Sequence, residues 1–353
     1  MLTNGLLKPD ILIAGAGIIG LTLALELNAR GAQVTVLERD TPLSHASTAA
    51  AGMLAVLDPH NPPALYPLSR LSSVLYPGFL ARLAELSGNL VPFQTNATIQ
   101  QEASKPDNPT HRLLPWNIDD LLPGNALHHL QLDLLVEHSI DPHQLAHALL
   151  AAVRHTTIHL RENCPVKQIF AHQHSVRIET ASKWHEAAIF VDCRGAWSSP
   201  PIKPRKGQML SVELTHGMDL VLRTKDIYIV PRTLGPRAGR ALIGATVEHA
   251  SFDTTAHSAD IAALHARASA LLPRLAEAKV LESWAGLRPG TPDDLPLIGA
   301  IASGSRHFIA AGHFRNGILL APATAQVVAD LIEAKPLTLS LDAFSPDRFL
   351  TPR

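Results

Sequence analysis

The chain opens with an alternation of apolar runs and glycines that predicts its first three elements. Residues 11–14 have the apolar pattern of a short strand, and glycines follow at positions 15, 17 and 20. An apolar stretch to about Ala29 predicts a helix that Gly31 ends, and residues 33–37 predict a second strand. This order of strand, helix and strand is typical of a parallel βαβ unit.

Further helices are predicted where apolar residues recur at helical spacing. They cover residues 65–88, a segment that begins at the N-cap candidate Asp141 and Pro142, residues 260–272, and a last stretch from near Gly317 to about Glu333. Two prolines complicate this prediction, because proline cannot donate the backbone hydrogen bond of a helix interior. Pro77 should break or kink the first of these helices, and Pro322 favours a later start of the last one, near Leu320.

Short alternating runs predict the strands of the remaining chain. They are "CPVKQIF", "SVRIETA" and "AIFVDCRGAW", then "QMLSVEL", "DIYIVPR" and "ALIGATV" at spacings typical of an antiparallel sheet, and finally residues 307–311. Residues 94–125 are rich in Pro, Asn and Asp and have little periodicity, so they are predicted to be a loop, with a lid as one interpretation.

Parallel-type units at both ends of the chain, with an antiparallel block between them, indicate an α/β fold of two domains. We expect a Rossmann-type dinucleotide-binding domain built from separated segments, with an inserted, mostly antiparallel β-sheet substrate domain. The first domain would comprise residues 1–88, 140–205 and 286–345, and the second residues 89–139 and 206–285.

Composition excludes several classes of function. The 353 residues, 46% of them hydrophobic, can bury a sizeable core, and a net charge of −1 gives no basis for binding nucleic acid or an anionic membrane. The fifteen uncharged residues 11–25 are fewer than the ~20 that cross a bilayer, and the glycines and Asp10 argue against a signal peptide. Two cysteines and 19 histidines without partners at ligand spacing predict no metal site. A cytoplasmic location is expected.

The glycines after the first strand form the pattern G-x-G-x-x-G. Gly15 permits a tight turn, Gly17 lets backbone N–H groups approach a pyrophosphate, and Gly20 lets helix and strand pack closely. Glu38 ends the second strand 18 positions beyond Gly20, where a carboxylate accepts hydrogen bonds from ribose hydroxyls. Because these features occur in register, they predict a dinucleotide site; a glycine-rich helix start without a ligand is the weaker alternative.

Two further segments bear on the ligands. "STAAAGMLA", residues 47–55, is a run of small residues that would let the backbone pass close to a bulky ligand, although an ordinary loop has the same composition. Arg288 and Arg315 lie among glycines and apolar residues, in "WAGLRPG" and "AAGHFRNGILL", where a permanent positive charge is unusual. Arg288 would bind an anionic substrate, or it would cap a neighbouring carbonyl, or it would pair with Asp293 or Asp294.

The sequence resembles the FAD-dependent amino-acid oxidases of the D-amino-acid oxidase superfamily, in particular the glycine oxidases of thiamine biosynthesis. The resemblance covers nearly the whole chain and is carried by "AGAGIIG", "AAAGML", "YIVPR", "IGATVE", "WAGLRPGTPDDLPLIG" and "AAGHFRNGILLAPATA". It implies non-covalent FAD. The FAD contacts that it implies, besides the three motif glycines, are Ile18, Ile19, Glu38, Arg39, Ala46, Ser47, Ala51, Gly52, Met53, Val166, His313, Phe314, Arg315, Asn316, Gly317, Ile318 and Leu319.

The resemblance also implies a substrate site. Arg288 would bind the substrate carboxylate with Tyr228 and Arg315 close by, so that these three residues are the implied catalytic residues, and no general base is required. Two positions depart from the family. Val247 replaces a frequent methionine over the site, which would leave room for amines larger than glycine. Arg194 in "DCRGAW" replaces a small or polar residue near the adenine half of the cofactor, which puts FAD affinity in question.

The implied function is oxidative deamination of glycine or another small amine or D-amino acid. Hydride leaves the α-carbon for flavin N5, O₂ is reduced to H₂O₂, and the imine hydrolyses to glyoxylate or enters thiazole synthesis. A homotetramer is implied as well. One alternative is a D-amino-acid or sarcosine-type dehydrogenase that passes electrons to a quinone or carrier. A second alternative is a non-catalytic flavin-binding protein, which would be expected to have lost the substrate arginine.

Overall fold

The computed structural model describes residues 10–102, 111–113, 115–249 and 251–349. The strands of these residues are β1 (Asp10–Ala14), β2 (Gln33–Leu37), β3 (Phe93–Thr95), β4 (Thr98–Gln101), β5 (His111–Arg112), β6 (Leu132–Leu135), β7 (Ser139–Ile140), β8 (His159–Arg161), β9 (Val166–Ala171), β10 (Val176–Thr180), β11 (Trp184–Ala187), β12 (Ile189–Asp192), β13 (Lys203–Glu213), β14 (Val221–Arg223), β15 (Tyr228–Arg232), β16 (Arg240–Gly244), β17 (Val280–Gly290), β18 (Leu297–Ala300) and β19 (His307–Ala311). The α-helices are α1 (Ile18–Ala29), α2 (Ala46–Ala49), α3 (Tyr66–Ser87), α4 (Pro115–Leu121), α5 (Pro142–Arg154), α6 (Ser258–Leu271) and α7 (Gly317–Ile332). Short 3₁₀ helices occupy Pro63–Leu65, Gly195–Trp197, Pro273–Leu275, Asp342–Phe344 and Pro346–Phe349.

A six-stranded sheet forms the half of the fold that the sequence predicts to bind a dinucleotide. Its order is β18-β19-β12-β1-β2-β8, and its pairs are parallel except for β18 with β19. Because side chains alternate across a strand, Ile11 and Ile13 face a core that helices α1, α3, α5 and α7 complete, whereas Leu12 and Ala14 pack towards the three-stranded sheet β11-β10-β9. The predicted α/β class and the opening βαβ unit are confirmed.

An eight-stranded sheet forms the other half, in the order β17-β13-β16-β15-β14-β4-β6-β5. All its pairs are antiparallel except β14 with β4, so the predicted mostly antiparallel sheet is confirmed. The two faces have different neighbours. Leu210 of β13 packs in a core with α6, and Met209 on the opposite face lies in the wall of a large cavity.

The prediction of a loop was wrong for part of its range, and the predicted break at Pro77 is not observed. Residues 94–125 are not all loop, because β4 lies inside the eight-stranded sheet between β14 and β6 and buries Ile99 completely. The part of the predicted loop at residues 103–110 lies outside the described residues. Helix α3 is not broken at Pro77 and continues to Ser87, where Gly88 ends it in a left-handed conformation.

Helix α7 begins at Gly317, three residues before the later start that Pro322 suggested. Pro322 has no N–H for the carbonyl of Ile318, four residues earlier. The hydroxyl of Tyr76 on α3 donates to that carbonyl at 2.5 Å, and Ser72 accepts from the N–H of Ala323 at 3.1 Å. Because α3 supplies these bonds, α7 can include the proline, and its N-terminus stays at the cavity.

The predicted domain boundaries remain a prediction. Strands β13 and β17 pair along their whole length, and each continues through a predicted boundary, at residues 205–206 and 285–286. Within the described residues, no helix is both long and apolar enough to cross a membrane.

Candidate active site

The turn after β1 brings three chain segments into close contact. Gly15 has a φ of 101°, and a side chain there would lie 2.4 Å from the carbonyl oxygen of Cys193. A Cβ at Gly20 would lie 1.9 Å from the carbonyl oxygen of Gly15. Both positions therefore exclude every residue except glycine, as the motif predicts, and α1 begins directly at the edge of the sheet.

Polar groups at this turn are fixed by short hydrogen bonds. Glu38, at the end of β2, accepts from the N–H of Ala16 at 2.6 Å and from the N–H of Asp40 at 3.0 Å. Ser47 of α2 accepts from the N–H of Ile18 at 2.9 Å. The other N–H groups in the first turn of α1 have no partner within the helix, which makes this end suited to an anion.

A cavity of about 570 Å³ lies between this turn and one face of the eight-stranded sheet. Its walls contain most of the predicted site residues. Those are Gly15, Gly17, Ile18, Ile19, Glu38, Arg39, Ala46, Ser47, Ala51, Gly52, Met53, Val166, Tyr228, Val247, Arg288, His313, Phe314, Arg315, Asn316, Gly317 and Ile318. Gly20 and Leu319, predicted as cofactor contacts, lie outside the walls: Gly20 faces the backbone of Gly15, and Leu319 is buried in the helical core.

Tyr228 and Arg288 lie flat on the sheet because each extends over a glycine. A Cβ at Gly244 would lie 2.7 Å from the Tyr228 hydroxyl, and a Cβ at Gly207 would lie 1.9 Å from Nη1 of Arg288. The two glycines belong to the adjacent strands β16 and β13, so both side chains lean across the centre of the sheet towards each other. We call the part of the wall formed by Tyr228, Arg288 and Arg315 the substrate end of the cavity.

Arg288 has no carboxylate partner among the residues that the structure describes. Its Nη1 donates to the carbonyl oxygen of Thr246 at 3.1 Å. The aspartates that the sequence offered as alternatives are engaged elsewhere, Asp293 with Arg348 at 2.8 Å and Asp294 with Arg205 at 2.8 Å. A half-buried guanidinium with one protein acceptor retains four N–H donors for a ligand.

The positive charge of Arg315 is compensated by Asp58, which was not among the predicted site residues. Its Nη2 lies 3.4 Å from Asp58 Oδ2, and both residues line the cavity. Burial raises the pKa of Asp58, but hydrogen bonds from His60 and the charges of Arg223 and Arg315 outweigh this effect and hold the pKa well below its usual value. Asp58 therefore stays ionised.

Arg223 was also missed, although it lines the same cavity. It is the cross-strand neighbour of Tyr228, and its Nη2 donates to Glu137 at 2.8 Å. Nothing in "VLRTKDIY" distinguishes this arginine from a surface residue; the only available signal was its position five residues before Tyr228.

His313, a histidine of the cavity wall, is not placed to act as a general base. His313 is fully buried, and burial lowers the pKa of its imidazole to about 3, so the ring is neutral at physiological pH. Its Nε2 is hydrogen-bonded to the hydroxyl of Thr324 at 3.1 Å, which makes it part of the start of α7.

The residues that depart from the family also line the cavity. Val247 is 53% exposed and forms part of its rim. Arg194 does not point freely at a ligand, since it forms a two-pronged ion pair with Asp192 at 3.0 and 2.7 Å. No metal was predicted, and the structure brings one possible ligand atom each of Glu38, Asp40 and His45 within 4.8 Å of one another just after β2. The carboxylate of Glu38 is held in this cluster by the hydrogen bonds that it accepts from the N–H groups of Ala16 and Asp40.

Comparison with known proteins identifies the family. The sequence profile described as "DAO: FAD dependent oxidoreductase" matches residues 10–331. The chain belongs to this family of FAD-dependent oxidoreductases. The matched residues include the glycine turn after β1, Glu38 after β2 and most of α7, whose N-terminus lies at the cavity.

Similar proteins are glycine oxidases and related enzymes. The bifunctional protein ThiO/ThiG of Trichormus variabilis is 34% identical over 96% of this chain, which spans 55% of that protein, about half its length. Glycine oxidase of Bacillus licheniformis is 30% identical over 96% of this chain and 97% of its own. The crystal structure of glycine oxidase from Geobacillus kaustophilus superimposes with a TM-score of 0.90 at 29% identity, over 98% of this chain and all of that one.

FAD is the cofactor of the family, and the residues of this cavity fit it. Gly15 and Gly20 leave no room for a Cβ, so the chain turns directly from β1 into α1, and the free N–H groups at the start of α1 suit a pyrophosphate. Glu38 retains lone pairs for ribose hydroxyls beyond its two backbone bonds. The N-terminus of α7, at Gly317, contributes a second positive helix end to the same wall.

Proposed function

We propose that the protein is an FAD-dependent oxidase of glycine or another small amine or D-amino acid. The observation that carries the proposal is Arg288, a half-buried guanidinium in the wall of the cavity that has no carboxylate partner within the described part of the chain. An α-amino acid supplies the missing carboxylate. Planar pairing of guanidinium and carboxylate fixes the orientation of the substrate as well as its position.

Bound FAD supplies the acceptor for the hydride of the substrate Cα–H. The residues of the chain bind and orient the substrate: Arg288 holds the carboxylate, and Tyr228 leans over Gly244 towards the same point. The amine loses its proton before the Cα–H leaves, and the resulting imine takes up water to give glyoxylate and ammonia. O₂ accepts the two electrons and two protons as H₂O₂, so that glycine, O₂ and water give glyoxylate, ammonia and H₂O₂.

Relatives bearing the names glycine oxidase and ThiO support this choice of substrate, and we extend it to thiamine synthesis, where the imine is used directly. O₂ as acceptor, a cytoplasmic location and a homotetramer belong to the same proposal. A non-catalytic flavoprotein is disfavoured, because Tyr228, Arg288 and Arg315 all line one cavity. No feature of the described residues favours a dehydrogenase.

One experiment tests the proposal. The purified holoenzyme is given glycine, sarcosine, D-alanine and L-alanine, first anaerobically and then in air. We expect bleaching of the flavin by glycine without O₂ and formation of H₂O₂ in its presence. Bleaching without H₂O₂ would indicate a dehydrogenase, and the absence of bleaching by every amine would contradict the proposal.

A further inference from the structure

A buried arginine outside the cavity wall contacts the backbone of the small residues that line it. Arg232, the last residue of β15, is 1% exposed, and its Nη2 donates to the carbonyl oxygen of Ala51 at 2.8 Å. Its Nε lies 3.8 Å from Asp141, and neither Nε nor Nη1 has a hydrogen-bond partner among the described residues. Ala51 lines the cavity and Arg232 does not. The bond therefore connects the wall to a charge that lies behind it.

Stability alone does not account for this arginine. Burial lowers the pKa of its guanidinium to about 10, so the charge is retained at a cost. A buried ion pair with incomplete hydrogen bonding is often no more stable than apolar side chains of similar volume. Within the described ranges, the bond to Ala51 is the only hydrogen bond that this guanidinium makes. The carbonyl of Ala51 is therefore the group on which Arg232 acts.

This bond fixes the direction of a peptide unit in the cavity wall. In a trans peptide the C=O and the following N–H point in opposite directions, so the N–H of Gly52 points away from Arg232. The next unit is also fixed, because the C=O of Gly52 accepts from the N–H of Ile140 at 2.9 Å. Gly52 and Met53 line the cavity, and their N–H groups have no acceptor in the part of the chain that the structure describes.

The glycine in this segment makes the direction of the unit depend on Arg232. A Cβ at Gly52 would lie 2.1 Å from the carbonyl oxygen of Ile140, so the close packing admits only glycine. Glycine also takes many backbone conformations, so the unit between Ala51 and Gly52 can rotate when nothing holds it. Such a rotation would turn the C=O of Ala51 towards the cavity in place of the N–H of Gly52.

The two free N–H groups lie at the end of the cavity that is left for the flavin ring. The start of α1 and Glu38, which suit the pyrophosphate and the ribose, lie at the glycine turn. Ala51 and Met53 pack instead in an apolar cluster with Tyr228 of the substrate end. The isoalloxazine ring has nitrogen and carbonyl acceptors, and hydrogen bonds and charge at these atoms tune its electronic properties.

We propose that Arg232 is a positioning residue for FAD. It holds the C=O of Ala51 out of the cavity, so that the N–H of Gly52, beside that of Met53, donates to an acceptor of the isoalloxazine ring. Arg232 itself touches neither FAD nor substrate. Donors at the ring strengthen FAD binding, and they favour the reduced form, which carries more electron density. The inference rests on the cofactor of the family and not on the proposed substrate.

The double variant Arg232→Met with Asp141→Asn tests the proposal. It removes the ion pair without leaving a buried charge, and asparagine can still cap α5 at position 141. We expect the apoprotein to melt near the wild-type temperature. The Kd for FAD, read from quenching of flavin fluorescence, should rise about tenfold or more. The two-electron potential of the bound flavin, measured against a reference dye, should fall by about 30 mV, which is a tenfold loss of preference for reduced FAD.

A conservative variant and a matched control complete the design. Arg232→Lys keeps the charge and one donor but not the planar fork, so its Kd and potential should lie between those of the wild type and the double variant. The control is Lys206→Met with Asp253→Asn. Lys206 is a completely buried cation of the same sheet, and its ion pair with Asp253 lies outside the cavity wall. The control should keep the wild-type Kd and potential.

Two results would overturn the proposal. One is a wild-type Kd and potential in both Arg232 variants, or in Arg232→Lys if the double variant does not fold. The other is a lower melting temperature of the apoprotein with an unchanged potential, which would make Arg232 a residue of the fold alone. Neither measurement requires an amine. A protein that no amine reduces but that shows the expected shift in potential therefore contradicts the proposed function and supports this inference.

Discussion

Arg288 and Arg315 differ in how their charges are compensated, although both line the same cavity. Arg315 has Asp58 within 3.4 Å, whereas the one acceptor of Arg288 in the described ranges is the carbonyl oxygen of Thr246. A positive charge in a partly buried site is costly unless it is paired. The charge of Arg288 is therefore available to a substrate, and that of Arg315 is largely committed to the protein.

The first prediction concerns Arg288→Ala. Loss of the guanidinium leaves the substrate carboxylate unpaired in a site shielded from water, which costs on the order of 2–5 kcal/mol. This corresponds to about two to four decades in kcat/KM for glycine. Arg288→Lys keeps the charge but not the planar fork, so it should recover part of the activity. Anaerobic flavin reduction should show a weaker glycine affinity and a slower limiting rate.

The matched control is Arg240→Ala, because Arg240 pairs with Glu282 on the same sheet but outside the cavity wall. It should leave both parameters near the wild-type values. If Arg288→Ala reduces its flavin with glycine at the wild-type rate and affinity, the carboxylate is held elsewhere.

The second prediction concerns Val247 at the rim of the cavity. Val247→Met lengthens the side chain over the substrate and should narrow the site. We expect a loss on D-alanine and N-ethylglycine that exceeds the loss on glycine by roughly 1–3 kcal/mol in transition-state stabilisation. Val74→Met is the control, since Val74 is 71% exposed on α3 and does not line the cavity. An equal loss on all substrates would show that residue 247 does not face them.

At the scale of elements, the position of α7 depends on a hydrogen bond from another helix. Pro322 leaves the carbonyl of Ile318 without its helical donor, and the Tyr76 hydroxyl donates to it instead. Burial raises the pKa of this hydroxyl, so it remains a protonated donor. Because Ile318 lines the cavity one residue after the start of α7, this bond also fixes one wall of the FAD site.

The third prediction follows from that bond. Tyr76→Phe leaves a buried carbonyl unsatisfied and should lower the free energy of unfolding of the holoenzyme by about 1–3 kcal/mol in urea denaturation. Tyr66→Phe, at an exposed position of the same helix, should change it little. In a Pro322→Ala background the alanine N–H can donate to Ile318, so Tyr76→Phe should cost less there. An equal cost in both backgrounds would mean that the hydroxyl does not replace the missing donor.

The unit that was predicted best from the sequence is one whose characteristic residues lie close together along the chain. The unit β1-α1-β2 could be predicted because its glycines, apolar runs and acid lie within 29 residues of one another, from Asp10 to Glu38. Strand β4 was missed because its pairing with β14 joins positions far apart in the chain. A short segment in a polar context gives no sign of such a partner.

The same distinction applies to the site. Arg288 and Arg315 stand out in the sequence because their immediate neighbours are apolar or glycine. Arg223 does not, since its partners Gln100 and Glu137 are 123 and 86 positions away and only the folded sheet brings them together. Buried ion pairs of this kind are properties of tertiary structure and could not be predicted from periodicity.

At the scale of the whole molecule, the FAD cavity joins the two large sheets. Gly15 and Glu38 directly follow β1 and β2 of the six-stranded sheet, and Tyr228 and Arg288 belong to strands of the eight-stranded sheet. A ligand that contacts both walls stabilises the native state by mass action, provided that it does not bind the unfolded chain. The stability of the protein should therefore depend on the concentration of free FAD.

The last prediction is that FAD is bound without a covalent bond and that its removal destabilises the fold. Both cysteines line the cavity, but burial and the neighbouring charge of Asp192 raise the pKa of the Cys193 thiol, so it is a poor nucleophile. Acid precipitation should release all flavin into the supernatant, and the double variant Cys164→Ser, Cys193→Ser should bind as much FAD as the wild type. The apoprotein should unfold at lower temperature and regain about 2.7 kcal/mol of stability when free FAD is 100 times its Kd. A yellow precipitate that becomes colourless in the cysteine variant would show a thioether, and a melting temperature independent of FAD would show that the two walls hold together without it.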